Sequence, residues 1–234
     1  MWEYDVEYAG SKASDYNIRI VKRPGIPAPI ADYSEVQIPG RDGVLYVDEK
    51  TVSDIEINVE MNYMSEHDEW FEHWRKAKEW LLQKGINQLR FGDDPDYYYL
   101  VKKVELSEDD RVCREIGRFT ATFYCNGYQY LLSGQKAYSL DKVANNPYSI
   151  AHPVYKIKGE GKCRITVNGN VFTADVGQNV TIDTDRMIAY REDGELVNTS
   201  VTGDYEVLYL QHGKNTLSAT SGFTVQVIPG WRRL

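Results

Sequence analysis

The sequence predicts two domains, an N-terminal α+β domain with one long helix and a C-terminal all-β sandwich. Three observations carry this. Strict alternation of apolar and polar residues fills VSDIEINVEMNY (Val52–Tyr63) and Ile116–Cys125, the signature of half-buried strands. Helical periodicity occurs once, between Ser65 and Gly85. Beyond residue 150 the chain becomes a succession of short strands separated by Gly- and Asn-rich turns. At 234 residues it is long enough for one large core or two ordinary ones. The fading of the pattern over Gly127–Pro147 places the boundary at 135/136.

Strand-like segments open the N-terminal domain at Trp2–Tyr8 and Tyr16–Val21. KRPGIPAPIADYSEVQIPGRDGVLY follows, and Pro24, Pro27, Pro29 and Pro39 exclude a continuous helix or a central strand. Residues 22–45 are therefore expected as an extended arm or long loop, and a segment of that kind usually contacts something else. In the helix, Ser65 is the expected N-cap, with Asp68 in the capping-box position. Trp70, Phe71, Trp74, Ala77, Trp80, Leu81 and Leu82 form the apolar stripe, and Gly85 is the expected C′ residue. A helix of about nineteen residues would span ~28 Å and must lie across a sheet to bury that stripe. Next come the acidic stretch DDPD, a strand at Tyr97–Leu106, the charged turn SEDDR and the strand from Ile116.

The C-terminal domain reads as short strands at Val154–Lys158, Cys163–Val167, Asn170–Ala174, Asn179–Asp183, Met187–Arg191, Tyr205–Leu210, Asn215–Ala219 and Thr224–Ile228. Asn168-Gly169 between two of them demands a primed hairpin turn. Strands at this spacing argue for a sandwich.

Charge and motifs exclude several function classes. The net charge is −8, and residues 1–135 hold 25 acids against 16 bases, while 136–234 hold 10 against 11. Neither half offers the basic footprint that gripping phosphate requires. Asp93, Asp94 and Asp96 are the best carboxylate cluster, but an EF-hand counted from Asp93 would need Gly at Tyr98 and Glu at Val104. The cluster fits a capped turn better, with partner contact as the alternative. His67 and His73 lie six apart, on roughly opposite helix faces, and no zincin, nucleophile-elbow or P-loop pattern is present. The sequence therefore suggests neither an enzyme nor a cofactor. Cys113, Cys125 and Cys163 form no CxxC pair and read as thiols of a reducing compartment. The acidic N-terminus is unlike a signal peptide, and synthesis in the cytoplasm without an export signal is expected.

Eighteen tyrosines against six phenylalanines suit interfaces or carbohydrate stacking. Tyr155, Tyr190, Tyr205, Tyr209 and Trp231 keep a cell-wall carbohydrate-binding module, acting in host adhesion, as the alternative function. Trp231, Arg232 and Arg233 make a small basic tip, read as a docking or salt-bridging end.

Ordered blocks along the chain carry a family likeness. IPAPIADYSEVQIPGRDGVLYVDEKTVSDIEINVEMNY, FEHWRKAKEWLLQKG, LRFGDDPDYYYLVKKV, NNPYSIAHPVYKIKGEGKCRITVNG and VIPGWRRL together resemble the distal tail protein (Dit) family of siphophages and related prophages of Gram-positive bacteria. The resemblance implies a virion tail-tip protein. Its N-terminal tail-tube-like domain, a split β-barrel or sandwich, would form a homohexameric ring, and its C-terminal domain would be a galectin-like attachment sandwich. It also implies partners: a tail-tube protein above, a tail-associated hub protein below, receptor-binding or baseplate proteins outside, and DNA passing through the channel. Pro24, Ile26, Pro27, Pro29, Ile30 and Pro39 would then belong to an inter-subunit arm, and the 234-residue length without a third domain-sized segment argues against the carbohydrate-binding insertion of larger members.

Overall fold

A computed structural model describes residues 4–66, 69–111, 113 and 115–234. The expected capping-box residue Asp68, together with His67 and the first residue of the expected opening strand, Trp2, lies outside them. The chain divides into two compact units, 1–129 with Leu234, and 130–233.

In the first unit the strands are β1 (Val6–Tyr8), β2 (Ser11–Lys12), β3 (Ile18–Ile20), β4 (Ala31–Gln37), β5 (Val44–Val52), β6 (Ile55–Met64), β7 (Asn87–Phe91), β8 (Asp94–Leu106), β9 (Asp110–Arg111) and β10 (Ile116–Leu131), with helix α1 at Trp70–Leu81. The main sheet runs β2-β1-β7-β8-β10-β6-β3. β6 and β10 are antiparallel from Ile55 opposite Cys125 to Met64 opposite Ile116, and this register puts Ile57, Val59 and Met61 beside Phe119, Ala121 and Phe123 in the core. Their other face is polar: Arg118 binds Glu60, and Thr122 donates to Asn58 at 2.7 Å. Alternation in the sequence has become a sheet with one wet and one dry face.

α1 covers the dry face with Trp70, Ala77, Trp80 and Leu81. Trp80 stacks on Tyr16 at 4.9 Å between centroids, and its indole N–H donates to the Tyr8 carbonyl at 3.0 Å, so a large ring is buried with its polar atom satisfied. The helix is shorter than the sequence predicts. Ser65 lies outside it and Glu69 occupies the N-cap position. Phe71 and Leu82 are exposed, so the buried stripe is narrower than the apolar composition suggests. Gly85 does adopt a left-handed conformation (φ +96°), but in the turn leading to β7 rather than at C′.

The acidic stretch also sits differently. Phe91 pairs with Asp94, so Gly92-Asp93 is the turn of a hairpin between β7 and β8, and Asp94, Pro95 and Asp96 already belong to the strand. β7 is too short, with only Leu89 and Phe91 apolar and inward, to stand out in the sequence.

The second unit contains β11 (Tyr138–Ser139), β12 (Asn145–Asn146), β13 (Val154–Val167), β14 (Asn170–Asp183), β15 (Ile188–Tyr190), β16 (Val201–Thr202), β17 (Gly213–Lys214), β18 (Leu217–Ala219), β19 (Thr224–Ile228) and β20 (Arg232–Arg233). Its principal sheet is ordered β11-β19-β13-β14-β15. β13 and β14 form one continuous hairpin of fourteen residues a side, closed by Asn168 (φ +51°) and Gly169 (φ +85°), as the primed turn requires. GEGK is therefore no turn: Gly161 (φ +94°) faces Val176, and Gly159 faces Gln178 (φ +72°). Glycines and a left-handed residue at matching positions let the long hairpin bend without ending. Tyr205–Leu208, predicted as a strand, is a 3₁₀ turn whose Asp204 side chain caps the Glu206 amide. Tyr155 is fully buried, and its hydroxyl donates to the Leu208 carbonyl at 2.8 Å, fastening that turn to β13.

Candidate functional site

The most distinctive feature of the first unit is β4–β5, a two-stranded sheet that pairs with no other strand. Residues 22–45 are thus not a structureless arm. Pro24, Pro27 and Pro29 lie in the extended approach to β4, and Pro39 lies in the connecting loop with Gly40 and Gly43 at φ near +80°. Between them Gln37–Val44 to Ser34–Val47 pair in regular register, and the register shifts between Ala31 and Tyr33 while Lys50 turns left-handed (φ +59°). That irregularity bends the ribbon near its base.

Both faces of the ribbon are wet. One carries Val36 opposite Leu45 and Ser34 opposite Val47. Val36, Leu45 and Val47 are 43%, 40% and 43% exposed. The other face carries Tyr33, Glu35, Tyr46 and Asp48, with Tyr33 and Tyr46 meeting edge-on at 6.3 Å. Ile26, Ile30 and Ile38, around its base and tip, are also exposed. An isolated two-stranded hairpin is marginally stable in water, and contiguous exposed apolar side chains mark an interaction surface.

The base of the ribbon is tied down. Ser53 N–H donates to the Ile30 carbonyl at 2.9 Å, and the Ser53 hydroxyl accepts from Ile30 N–H at 3.2 Å. On the entry side Arg23 Nε meets Asp93 at 2.7 Å and Lys22 meets Glu60. On the exit side Asp54 binds Lys102 at 2.7 Å. Hydrogen bonds from Lys22 and then Arg118 hold the Glu60 carboxyl below its usual pKa. Of the sequence-picked arm residues, Pro24 is buried, Pro29 half-buried, and Ile26, Pro27, Ile30 and Pro39 exposed.

Sequence reasoning missed the two strands of the ribbon and the role of Asp93. The acidic stretch is divided: Asp93 holds the ribbon root, while Asp94 accepts from the Gln129 amide at 2.6 Å. Among the described residues no three His, Cys, Asp or Glu side chains are grouped to hold a metal.

At the C-terminal end Trp231 and Arg232 are buried. Arg232 Nε donates to the Ile150 carbonyl at 2.6 Å, and its Nη2 donates to His152 Nε2 at 2.8 Å. Arginine only donates, so that ring nitrogen accepts, and Nδ1 carries the proton that reaches Asp185 at 2.8 Å. Arg233 is exposed beside the Tyr148 ring. The aromatics considered for sugar stacking are turned inward or half-covered: Tyr155 is buried, Tyr205 packs on Phe172 and Tyr209 stacks on His152 at 4.0 Å.

The described residues thus form two strand-rich units, with an α-helix across the first sheet and a two-stranded ribbon that pairs with no other strand. No family model and no curated protein matches the chain. Among solved structures it is similar to SPP1 Dit (gp 19.1), a hub protein of the adsorption apparatus in phages that infect Gram-positive bacteria, with a TM-score of 0.66 over 98% of each chain at 15% sequence identity. None of the described helices is long and apolar enough to cross a membrane.

Proposed function

We propose that this chain is a structural protein of a phage tail tip, a distal tail component that closes into a homohexameric ring between the tail tube and the adsorption apparatus. The observation that carries the reading is the two-stranded ribbon, which pairs with no other described strand and leaves Val36, Leu45 and Val47 exposed on its aliphatic face. The fold likeness to a hub protein over nearly the whole length supports it. In this reading the ribbon, with Ile26, Pro27, Ile30 and Pro39 about its base and tip, lies against the next subunit. The second unit serves as a galectin-like platform for receptor-binding or baseplate proteins, with Arg233 at its exposed end.

The polar face of β6, β8 and β10 suits a channel that DNA crosses without being held. Cations on and beside it are paired with carboxylates: Lys22 and Arg118 with Glu60, Lys102 with Asp54, Lys103 with Glu105. Paired cations release fewer counterions from DNA and grip it weakly. Retention of DNA by the purified protein at high salt would contradict this. The function so described is structural rather than enzymatic.

Solution mass and electron imaging of the purified full chain test the reading, and a ring of repeated subunits is the expected result. For the carbohydrate-binding alternative, cell-wall polysaccharide would raise the melting temperature in proportion to log concentration above Kd. With Tyr155 buried and Tyr205 and Tyr209 half-covered by Phe172 and His152, no such shift is expected.

A further inference from the structure

We infer that Gly127 is the seat on which the ribbon base rests, and that it sets the direction in which the ribbon leaves the body. Gly127 is buried within β10 and needs no left-handed backbone, so its role is space rather than conformation. A Cβ there would lie 2.5 Å from the Ser53 carbonyl oxygen, 2.9 Å from Pro29 Cβ and 3.0 Å from Val52 Cγ2. Those three residues are the two feet of the ribbon: Pro29 precedes β4, Val52 ends β5, and Ser53 closes the base onto Ile30. A backbone oxygen and a proline ring have no rotamer with which to step aside, so the whole base must rise.

Around that seat the charged contacts act as straps. Lys22–Glu60 and Arg23–Asp93 hold the entering chain, and Asp54–Lys102 holds the leaving chain. Asp93 is only 17% exposed where Arg23 reaches it, so this strap is the least screened on its carboxylate side. The ribbon is therefore a rigid lever aimed by the monomer before any partner arrives, which lowers the ordering cost of association. Pre-aiming explains how a thin ribbon remains useful to a ring, where each contact must close at one angle. This consequence for assembly rests on the proposed ring; the direction of the ribbon does not.

The test is a distance across the full chain between nitroxides at Asp42→Cys in the ribbon loop and Glu79→Cys on α1, both exposed. Cys113 is replaced by serine, Cys125 and Cys163 are buried, and labelled chain is diluted with unlabelled chain. The expected result is one narrow distance in the parent. In Gly127→Ala it moves or broadens by roughly 3 Å or more, because a strand of ~27 Å magnifies a ~1 Å rise at its foot. The melting temperature measured alongside separates re-aiming from unfolding. Should Gly127→Ala fail to fold, Arg23→Ala with Asp54→Ala, both outside the core, must broaden the distance. A broad distance in the parent, or unchanged distances in folded Gly127→Ala, overturns the inference. A narrow distance in a chain that never assembles overturns the ring reading alone.

Discussion

Replacing Leu45 by glutamate probes the ribbon where its chemistry is simplest. Leu45 faces Val36 on the aliphatic side and keeps 40% of its surface exposed. Complete burial of a leucine is worth about 1.5–3 kcal/mol, so covering the remainder contributes about 1 kcal/mol to a contact. Glutamate removes that and adds a carboxylate that loses solvation unless it finds a partner, a cost of several kcal/mol before relaxation. A net loss of about 3 kcal/mol per contact corresponds to roughly 10²-fold weaker association, and a closed ring incurs it at every contact. Because the ribbon stands outside the core, the fold itself should change by no more than about 0.5 kcal/mol. Sedimentation velocity across a dilution series, paired with a thermal melt, reads both quantities. Val171→Glu, at an exposed position of the second unit, is the matched control and should assemble normally. Leu45→Glu assembling like the parent would mean that the aliphatic face of the ribbon takes no part in a subunit contact.

Three further outcomes follow from the geometry. Gly117→Ala should destabilise by about 1–3 kcal/mol and lower the melting temperature by several degrees, because its Cβ would lie 2.4 Å from the Tyr63 ring, which is pinned by a hydrogen bond to Asp109. Thiol titration of native protein should find one fast cysteine, the exposed Cys113; burial pushes the Cys125 thiol up to about 12 and raises Cys163, so both should react only on unfolding. The hydrogen bond from His152, with help from Arg232 and Arg186, holds the Asp185 carboxyl below its usual pKa, so its contribution is present above about pH 4 and is lost as pH falls through the folded value. Melting curves between pH 6 and 3 should accordingly be flatter for Asp185→Asn.

How much of this was legible depended on whether a segment buries one face against its own chain. β6 and the first part of β10 do, so their alternation could be read directly. The ribbon does not: Ala31–Gln37 and Val44–Val52 mix apolar and polar residues on both faces, and prolines at root and tip disguised two proline-free strands as a loop. The helix reads as longer than it is because Ser65 and Gly85 offer cap residues beyond its ends, and its stripe reads as wider because Phe71 and Leu82 are apolar yet exposed. In the second unit, Asn168-Gly169 gave away its turn, while Gly159 and Gly161 looked like a turn and are a bend inside one strand. Nothing local marked Asp93 as the partner of Arg23, seventy residues earlier, because that pairing exists only once the β7–β8 hairpin and the ribbon root are both in place.

We propose that this chain is a ring-forming component of a tail tip. Electron imaging of the purified full chain, with solution mass measured on the same sample across a concentration series, tests it most directly. Closed rings of six subunits around an open channel, dispersed by Leu45→Glu, are the expected result. Monomers that persist at every concentration would overturn the ring, and a ring that Leu45→Glu leaves intact would overturn the ribbon's part in holding it.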